Sequence, residues 1–587
     1  MSATLFTGHL EIQGSGPWFV GGHTPPPAGA DAATAQRDKQ PILPTSALKG
    51  ALREAAYRRL RSEGQPVCEP WTPWERRLAQ CAENPCFVCR VFGAPGPDRP
   101  GVVEDGDGEP GAGWMANGLR LSDGLPTEPA PLSRRFGVGI DRVTRRAAEA
   151  HLFQREIADP GQSTTLLAPF RARLSPEDMA YLEECARLVN SLGNSRTRGL
   201  GAVAMRFVQE APPPQASVLT TARKGERARV RVTALEPLHL GAPPRPDSTR
   251  ATLTRVPGSA LHGALFAAAH RVNPREAKHL ATTLNLSDLL PAIDDALPVP
   301  YHRALLRCRS CEAFLDRTLD DAVARELLQR PARDLSFRPA SACPRCGGED
   351  LKPAEGALHG ADLRRRLVTR LAIDPHTQSA APKMLYSREQ IEPGSRFLGT
   401  VDALDARCWA ALDTLASQGE PVLLGGLRTR GLGAVRVELL PPPADDLSAR
   451  LAGFSQRARQ HPGVKAAGWD PNRLLLVQAR TPLASPPGLS GGDCVGQALF
   501  GEGAYRVLGS WQRLETRSGW NDQQGRVRPL REVYRGGSCW LLELSAAPSL
   551  PALQDAEHQG IGADDDKKLG LNRLYLCPQT PEPRSTR

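Results

Sequence analysis

The sequence has few aromatic residues, few lysines and no long run of apolar residues. Phenylalanine, tryptophan and tyrosine make up 5% of the 587 residues, and nine of the 74 basic residues are lysine, against 65 arginines. No run of about 18 apolar residues occurs, so we expect no membrane-spanning helix. The opening residues, MSATLFTGHLEIQGSG, lack a charged segment followed by an apolar one. They do not predict a signal peptide, and we expect a cytoplasmic protein.

The charge balance is basic. A formal net charge of +10 at pH 7 and a pI of about 9.1 favour a polyanionic partner, although 64 acidic residues offset much of the positive charge. Arginine suits phosphate binding and stacking on bases. A GC-rich genome would produce the same arginine excess, and composition alone favours neither explanation.

Thirteen cysteines in a chain expected in the cytoplasm favour metal ligands and buried thiols over disulfides. Eight of them fall into two clusters, which are Cys68, Cys81, Cys86 and Cys89, and Cys308, Cys311, Cys343 and Cys346. The second cluster consists of two C-x-x-C pairs, a spacing typical of a tetrahedral structural Zn²⁺ site, and the first contains one such pair. Neither cluster leaves an open coordination position, so both zinc sites are predicted to be structural. The alternative is a set of unligated thiols in polar loops.

One octapeptide, R-T-R-G-L-G-A-V, occurs twice, at residues 196–203 and 428–435. Glycine lets the backbone adopt positive φ, consecutive N–H groups can form a nest for an anion, and the arginines add charged donors. A helix C-cap before a strand would also use Gly-x-Gly, but its exact duplication favours a shared function. The predicted RNA-binding residues are therefore Arg196, Arg198, Gly199 and Gly201, with Arg428, Arg430, Gly431 and Gly433.

The duplication extends to a helix that precedes each loop. PTSALKGALREAAYRRL at 44–60 matches PGSALHGALFAAAHRV at 257–272, and Ser46 and Ser259 are the expected N-caps. An apolar stripe at helical spacing puts Lys49 and Arg53 on another face, and both join the predicted RNA-binding residues. His262 replaces Lys49 in the second copy, which makes RNA contact there less certain.

Each copy predicts a strand, the helix, an insertion, a hairpin, a strand, a helix, the glycine loop and a last strand. This order approximates β-α-β-β-α-β, so we predict an α+β fold with tandem ferredoxin-like domains and zinc-binding insertions. RRM modules present such a sheet to RNA. GIGADDDKKLGLNRLYL near the end resembles a degenerate glycine loop, whose aspartates would repel phosphate. The predicted parts are a first domain at 1–212, a linker at 213–226, a second domain at 227–441, a linker at 442–466 and a degenerate region at 467–587.

Several segments together resemble the RAMP superfamily of CRISPR-associated proteins. LPTSALKGALR, CFVCRVFG, GIDRVTRRAAEAHLFQRE and GNSRTRGLGAV are similar to the Cas-seven-type backbone subunit of type III effector complexes. RVPGSALHGAL, the C-x-x-C pairs and LAIDPHTQSAAPKMLYSREQIEPGSRFLGTV resemble the Csx-ten family of type III-D, a Cas-five-like RAMP. The resemblance implies a subunit that holds guide RNA, including its 5′ tag, by the backbone and supports pairing with target RNA. It also implies other RAMP subunits and a large polymerase-like subunit as partners.

The resemblance further implies a target-RNA endonuclease, because such backbone RAMPs rely on an aspartate in the loop before the PGSSLKG-type helix. Asp31 is at about the implied position, Asp38 competes with it, and Asp247 is the counterpart in the second copy. A carboxylate there could assist attack by a ribose 2′-OH, directly or through Mg²⁺ or another divalent ion. The alternatives are solvated loop acids in a purely architectural guide-RNA scaffold, or a zinc-ribbon DNA-binding protein.

Overall fold

Three antiparallel sheets, each covered by helices, form the framework of the molecule. The structure, a computed structural model, describes residues 4–21, 30–37, 39–68, 81, 85–93, 118–161, 163–211, 218–220, 226–242, 249–329, 337, 341–373, 380–402, 404–442, 446–517, 520–521, 526–527 and 529–581. Within these ranges, no helix combines the length and the apolar character needed to span a bilayer. The mixed helices and antiparallel sheets agree with the predicted α+β class.

The first unit, residues 4–209, contains a sheet in the order β10-β1-β9-β5, in which all neighbours are antiparallel. A separate hairpin, β7–β8, extends from it. Its elements are β1 (Thr4–Gly14), β2 (Ala32–Ala33), β3 (Gln36–Arg37), β4 (Gln40–Pro41), α1 (Thr45–Ser62), α2 (Phe87–Phe92), β5 (Leu119–Leu121), β6 (Leu125–Pro126), β7 (Leu132–Ile140), β8 (Ala147–Ala158), β9 (Thr164–Leu174), α3 (Pro176–Arg187) and β10 (Val203–Gln209). Helix α1 packs on the sheet because its buried apolar residues recur every four positions, at Leu48, Leu52, Ala56 and Leu60.

The second unit, residues 218–440, repeats this sheet in the order β25-β12-β23-β14, and β11 adds a parallel edge strand. Its elements are β11 (Val218–Thr220), β12 (Arg227–Ala234), β13 (Thr249–Arg250), α4 (Gly258–Val272), α5 (Pro274–Thr283), β14 (Asn285–Leu286), β15 (Leu290–Pro291), β16 (Val299–Pro300), β17 (Leu305–Cys308), β18 (Phe314–Asp316), α6 (Thr318–Gln329), β19 (Leu351–Pro353), β20 (Ala357–Leu358), β21 (Arg365–Ile373), β22 (Ala380–Ile391), β23 (Arg396–Asp402), α7 (Ala406–Gln418), β24 (Val422–Leu423) and β25 (Ala434–Leu440).

The third unit, residues 447–576, has the order β33-β26-β32-β27, again antiparallel throughout. Its elements are α8 (Leu447–Gln460), α9 (Pro462–Ala467), β26 (Leu474–Ala479), α10 (Gly491–Phe500), β27 (Tyr505–Trp511), β28 (Leu514–Arg517), β29 (Trp520–Asn521), β30 (Arg526–Val527), β31 (Arg531–Tyr534), β32 (Cys539–Leu544), α11 (Leu550–Gln559), α12 (Asp564–Lys568) and β33 (Leu574–Leu576). The region predicted to be degenerate therefore repeats the strand order of the other two units.

The three sheets share one topology. If the four strands of each order given above are numbered along the chain, their order across the sheet is 4-1-3-2 in all three units. Each unit also has its own buried apolar cluster. Helix α6 belongs to the cysteine-containing insertion of the second unit. It packs into the apolar cluster of the third unit through Leu319, Val323 and Leu327. The insertion is thus part of the core of the following unit.

Two local predictions are wrong. Helices α1 and α4 begin after Pro44 and Pro257, which are the N-cap residues, so Ser46 and Ser259 are not caps.

The segments predicted as linkers also carry structure: β11 lies within 213–226, and α8 and α9 occupy most of 442–466. Both helices contribute to the third cluster because their apolar faces, including Phe454, are buried there.

Candidate nucleic-acid interface

Three glycine loops follow the same backbone path. We call residues 195–201 the first loop, 427–433 the second and 566–572 the third. Each holds a buried leucine next to its last residue: Leu200, Leu432 and Leu571. The same main-chain hydrogen bond anchors each loop, from Gly201 N–H to the carbonyl of Pro17 (2.9 Å), from Gly433 to Pro237 (3.0 Å) and from Asn572 to Pro482 (2.9 Å).

The backbone explains why glycine recurs in these loops. Gly201 has φ +77°, and a Cβ there would overlap the carbonyl oxygen of Leu192. Gly433 has φ +97°, and its Cβ would lie 2.6 Å from the carbonyl oxygen of Leu424. The third loop has Asn572 with φ +64° at this position, because asparagine tolerates the left-handed region better than most residues. The third loop therefore repeats the last three residues of the other two, whereas helix α12 replaces their 3₁₀ turn.

The second loop packs against the start of helix α1, and we call this contact the first joint. A Cβ on Gly431 would lie 2.6 Å from Thr45 Oγ1 and 2.8 Å from the carbonyl oxygen of Leu121. Arg120 donates to the carbonyl oxygen of Arg428 at 3.4 Å. Two of the predicted phosphate-binding glycines, Gly431 and Gly433, thus lie in a loop that contacts the first unit.

Positive charge accumulates at the first joint. Lys49 is buried, and its ammonium donates to the carbonyl oxygen of Leu119 at 2.8 Å. Burial, together with the nearby guanidinium groups of Arg430, Arg53 and Arg120, lowers the pKa of Lys49 to about 7. Predicted RNA-binding residues from α1 and from the second loop therefore share one basic cluster, which an anion would stabilise.

The third loop packs on the second unit in the same way, and we call this contact the second joint. A Cβ on Gly570 would lie 2.7 Å from Asp288 Oδ1 and 3.0 Å from Gly258 Cα. Asp288 accepts from Gly258 N–H at 2.9 Å and forms ion pairs with Arg255 at 3.0 Å and Arg517 at 2.9 Å. The third loop therefore contacts another part of the same chain.

An aspartate that the sequence analysis missed caps the helix in both joints. Asp123 accepts from the N–H of Thr45 at 2.8 Å, and Asp288 occupies the same position in the second unit. The signal was present, because LSDGLP at 121–126 matches LSDLLP at 286–291. Each motif ends the second strand of its unit and brings a carboxylate to the helix N-terminus, where negative charge is stabilising.

The first loop instead faces solvent beside the β7–β8 hairpin. Arg196, Arg198 and Gly199 are exposed. Arg155 donates to Ser195 Oγ at 2.7 Å, and Arg135 reaches the carbonyl oxygen of Arg198 at 3.5 Å. The arginines of the loop and of the hairpin together form a basic surface.

Asp31 lies at the base of the same hairpin. Its N–H donates to the carbonyl oxygen of Gln154 at 2.8 Å, and its Oδ2 accepts from Gln154 N–H at 2.7 Å. Asp31 is exposed, and its partner Gln154 precedes Arg155, the residue of strand β8 that contacts the first loop. Among the residues that the structure describes, Asp31 belongs to no cluster of three or more metal-ligating side chains. Asp38 and Asp247 lie outside the described residues.

Both predicted cysteine clusters come together. In each, the four Sγ atoms lie within 4.8 Å of one another, with Cys308 and Cys346 3.6 Å apart and Cys311 and Cys343 3.4 Å apart. Zn–S bonds of about 2.3 Å in a tetrahedron require sulfurs about 3.8 Å apart, so the second cluster is close to the required size. Hydrogen bonding to Cys89 lowers the pKa of Cys86, which favours the thiolate that zinc binds. Either cluster could hold a zinc ion.

The fold and these surfaces define an α+β protein of three repeated units, joined where a glycine loop of one unit packs on a helix of the preceding one. Residues 11–204, nearly all of the first unit, match the family model of the RAMP superfamily. This confirms the resemblance to RAMP proteins noted from the sequence.

Other comparisons add little. No curated protein sequence matches the chain. A solved structure described as "Cryo-EM structure of the Type III-B Cmr-beta bound to cognate target RNA and AMPPnP, state 1" is similar over 53% of this chain and 86% of the matched chain. The two are 13% identical and the TM-score is 0.29, so no conclusion about this chain depends on the likeness.

Proposed function

We propose that this protein is an RNA-binding subunit of a type III CRISPR effector complex, of a III-D-like kind. It holds the guide RNA, including the 5′ tag and adjacent spacer, by its sugar–phosphate backbone. The observation that carries the proposal is the exposed basic surface along the first loop and the β7–β8 hairpin, in a unit that matches the RAMP family model. Arg430 adds an exposed guanidinium group at the first joint. Other RAMP subunits and a large polymerase-like subunit are the proposed protein partners.

We also infer that each unit is ferredoxin-like. The β-α-β-β-α-β order with four antiparallel strands, present three times, supports this assignment. In the first two units, the loop that carries the arginines lies between helix α3 or α7 and the last strand, β10 or β25. The repeated topology therefore supports a series of similar basic positions along one chain, as a bound RNA strand of regular phosphate spacing requires.

The exposed residues favour contacts to phosphate over base reading. Arg198 and Arg430 are exposed, so their guanidinium groups can donate to phosphate. The N–H groups of residues 198–201 already donate to carbonyl oxygens of the protein, so the guanidinium groups are the donors proposed here. Contacts of this type position a nucleic acid without selecting its sequence. Sequence selection would then come from pairing between guide and target RNA.

We expect the double variant Arg198→Gln with Arg430→Gln to weaken guide-RNA binding. Each phosphate that an arginine no longer neutralises reduces the slope of log K against log salt by about 0.7 for single-stranded RNA, so the slope of the double variant should be smaller by about 1.4. Fluorescence anisotropy over a salt series measures both the affinity and the slope. Arg206→Gln is the matched control, because Arg206 is equally exposed but already pairs with Glu11 at 2.9 Å. An unchanged slope in the double variant, or an equal reduction in the control, would contradict the proposal.

We further propose that Asp31 takes part in target-RNA cleavage. Its exposure and its contact with strand β8, whose Arg155 contacts the first loop, support this role. A divalent ion such as Mg²⁺ would have to be bound with help from the RNA itself, since Asp31 has no cluster of ligating side chains around it among the described residues. The alternative is an architectural subunit without catalysis.

Asp31→Asn separates these alternatives. Asparagine keeps an oxygen that accepts from Gln154 N–H but removes the charge, so the fold and guide binding should be preserved. With the assembled complex, labelled complementary RNA and Mg²⁺, we expect one cut at a fixed position to disappear. Asp38→Asn is the parallel variant for the competing aspartate. If the cut persists in Asp31→Asn, the catalytic role is refuted and the scaffold function remains.

We propose that both cysteine clusters hold structural Zn²⁺. Convergence of four thiols in each, three of the four cysteines being buried in the first cluster, supports this assignment. The zinc would fix insertions that have little apolar core of their own, because the clusters around the cysteines contain few other buried residues.

A further inference from the structure

The two joints use one geometry. In each, a glycine with φ near +75° seats its Cα against the start of a helix in the preceding unit, Gly431 at +72° and Gly570 at +80°. The helix start is capped by an aspartate that follows the second strand, Asp123 or Asp288. We call the glycine loop the docking loop, and we call the helix start that the aspartate caps the seat. Neither glycine tolerates a Cβ without displacing atoms of the seat.

The first loop has the backbone conformation of a docking loop, but it contacts no seat. Gly199 has φ +78°, and a Cβ there would have nothing within 4 Å. The neighbouring residues repeat those of the second loop, with the same R-T-R-G-L-G sequence and a 3₁₀ turn at Arg196–Arg198 that matches Arg428–Arg430. Two of the three equivalent loops therefore contact a preceding unit, and the remaining one lies open at the end of the series.

The third unit provides no further seat. The first N–H of its equivalent helix, at Gly491, donates to the hydroxyl of Tyr534 at 3.0 Å instead of to an aspartate. The ring of Trp540 lies where the glycine of a docking loop would approach. One ring atom is 2.5 Å from a Cβ placed on Gly491. The seats of the first and second units are already filled. Within the described residues, a second copy of this chain therefore has no open seat for the first loop.

We infer that the first loop docks onto a seat in a separate RAMP subunit, one whose second strand ends with an aspartate that caps the following helix. The inference rests on the proposed function only in that the partner belongs to the same effector complex. The chain then has a fixed polarity in the assembly, with its first unit joined to the partner and its third unit closed.

This docking is compatible with RNA at the same loop, because the second loop has two sides. At the first joint, Gly431 contacts the seat while Arg430 lies close enough to Lys49 to lower the lysine pKa. Arg198 is the counterpart of Arg430. Docking of Gly199 would bring Arg198 to a basic helix of the partner and extend the line of positive charge across the boundary between subunits.

Gly199→Asn tests the inference. Asparagine accepts positive φ, and its side chain enters open space in the isolated chain but would collide with a seat. We expect the full-length variant to keep its melting temperature and, in the absence of RNA, to bind a purified Cas-seven-type backbone subunit from the same organism about tenfold more weakly. Gly64→Asn is the matched control, with φ +69° and also nothing within 4 Å. Gly431→Asn should lower the melting temperature, because its seat is within the chain.

Biolayer interferometry with the backbone subunit and anisotropy with guide RNA give separate readouts. Weaker subunit binding by Gly199→Asn but not by Gly64→Asn, measured without RNA, supports docking. Unchanged subunit binding overturns it, as does a wild-type chain that does not bind the subunit. A variant that loses only RNA affinity would make the loop a nucleic-acid contact and also overturn docking. Failure of the wild-type chain to bind guide RNA would refute the proposed function but leave the docking result interpretable.

Discussion

Asp288→Ala is expected to lower the free energy of unfolding by about 3–5 kcal/mol, the range for removing one partner of a buried ion pair. Asp288 is buried and pairs with Arg255 and Arg517, whose side chains are also largely buried. Removal of the carboxylate leaves the positive charges of two largely buried guanidinium groups without one of their negative partners. It also removes the hydrogen-bond acceptor that caps the N-terminus of helix α4. Arg517 comes from the third unit, so the substitution should also loosen the second joint.

Urea denaturation of the full chain, followed by tryptophan fluorescence, measures this effect. Asp294→Ala is the matched control, because Asp294 is exposed and a surface change should stay within about 0.5 kcal/mol. Asp288→Asn keeps an acceptor for Gly258 N–H and removes the charge, so it separates the cap from the ion pairs. A destabilisation by Asp288→Ala no larger than the control's would refute the account of the second joint.

The sequence predicted the glycine loops well because their conformation is a local property. Positive φ at two positions and a buried leucine between them restrict the residues to Gly-Leu-Gly or a close substitute. The third loop was underestimated, since Asn572 replaces the last glycine and the preceding aspartates direct attention to charge. Its backbone hydrogen bond to Pro482 shows that the same path is retained.

The contacts of these loops were not predictable in the same way. Helical spacing places Lys49 on a face away from the apolar stripe, which predicts exposure, but the second loop covers that face and buries the ammonium. A helical pattern identifies which side of a helix packs on its own sheet. It contains no information about a unit that lies several hundred residues further along the chain. The repeated L-S-D motif was the one readable sign of the joints.

Zinc removal is expected to have the other large effect. Structural zinc contributes an apparent binding free energy of about 10–16 kcal/mol in small zinc-finger peptides, and most of it is folding free energy. Zinc at the second cysteine cluster would fix the insertion that carries helix α6, and α6 packs into the core of the third unit through Leu319 and Val323. Loss of this zinc should therefore destabilise two units rather than a single loop.

Cys308→Ser tests this coupling most directly, because Cys308 is fully buried and belongs to both the cluster and strand β17. We expect two zinc ions per wild-type chain and one in the variant by elemental analysis, with faster hydrogen exchange in α6 and β26. Cys494→Ser is the control, since Cys494 is buried but lies outside both clusters, and it should keep both ions. Exchange that rises only in the insertion would refute the coupling, and a wild-type chain without zinc would refute the metal assignment. If exchange rises in both elements, the insertion is a structural link between the second and third units.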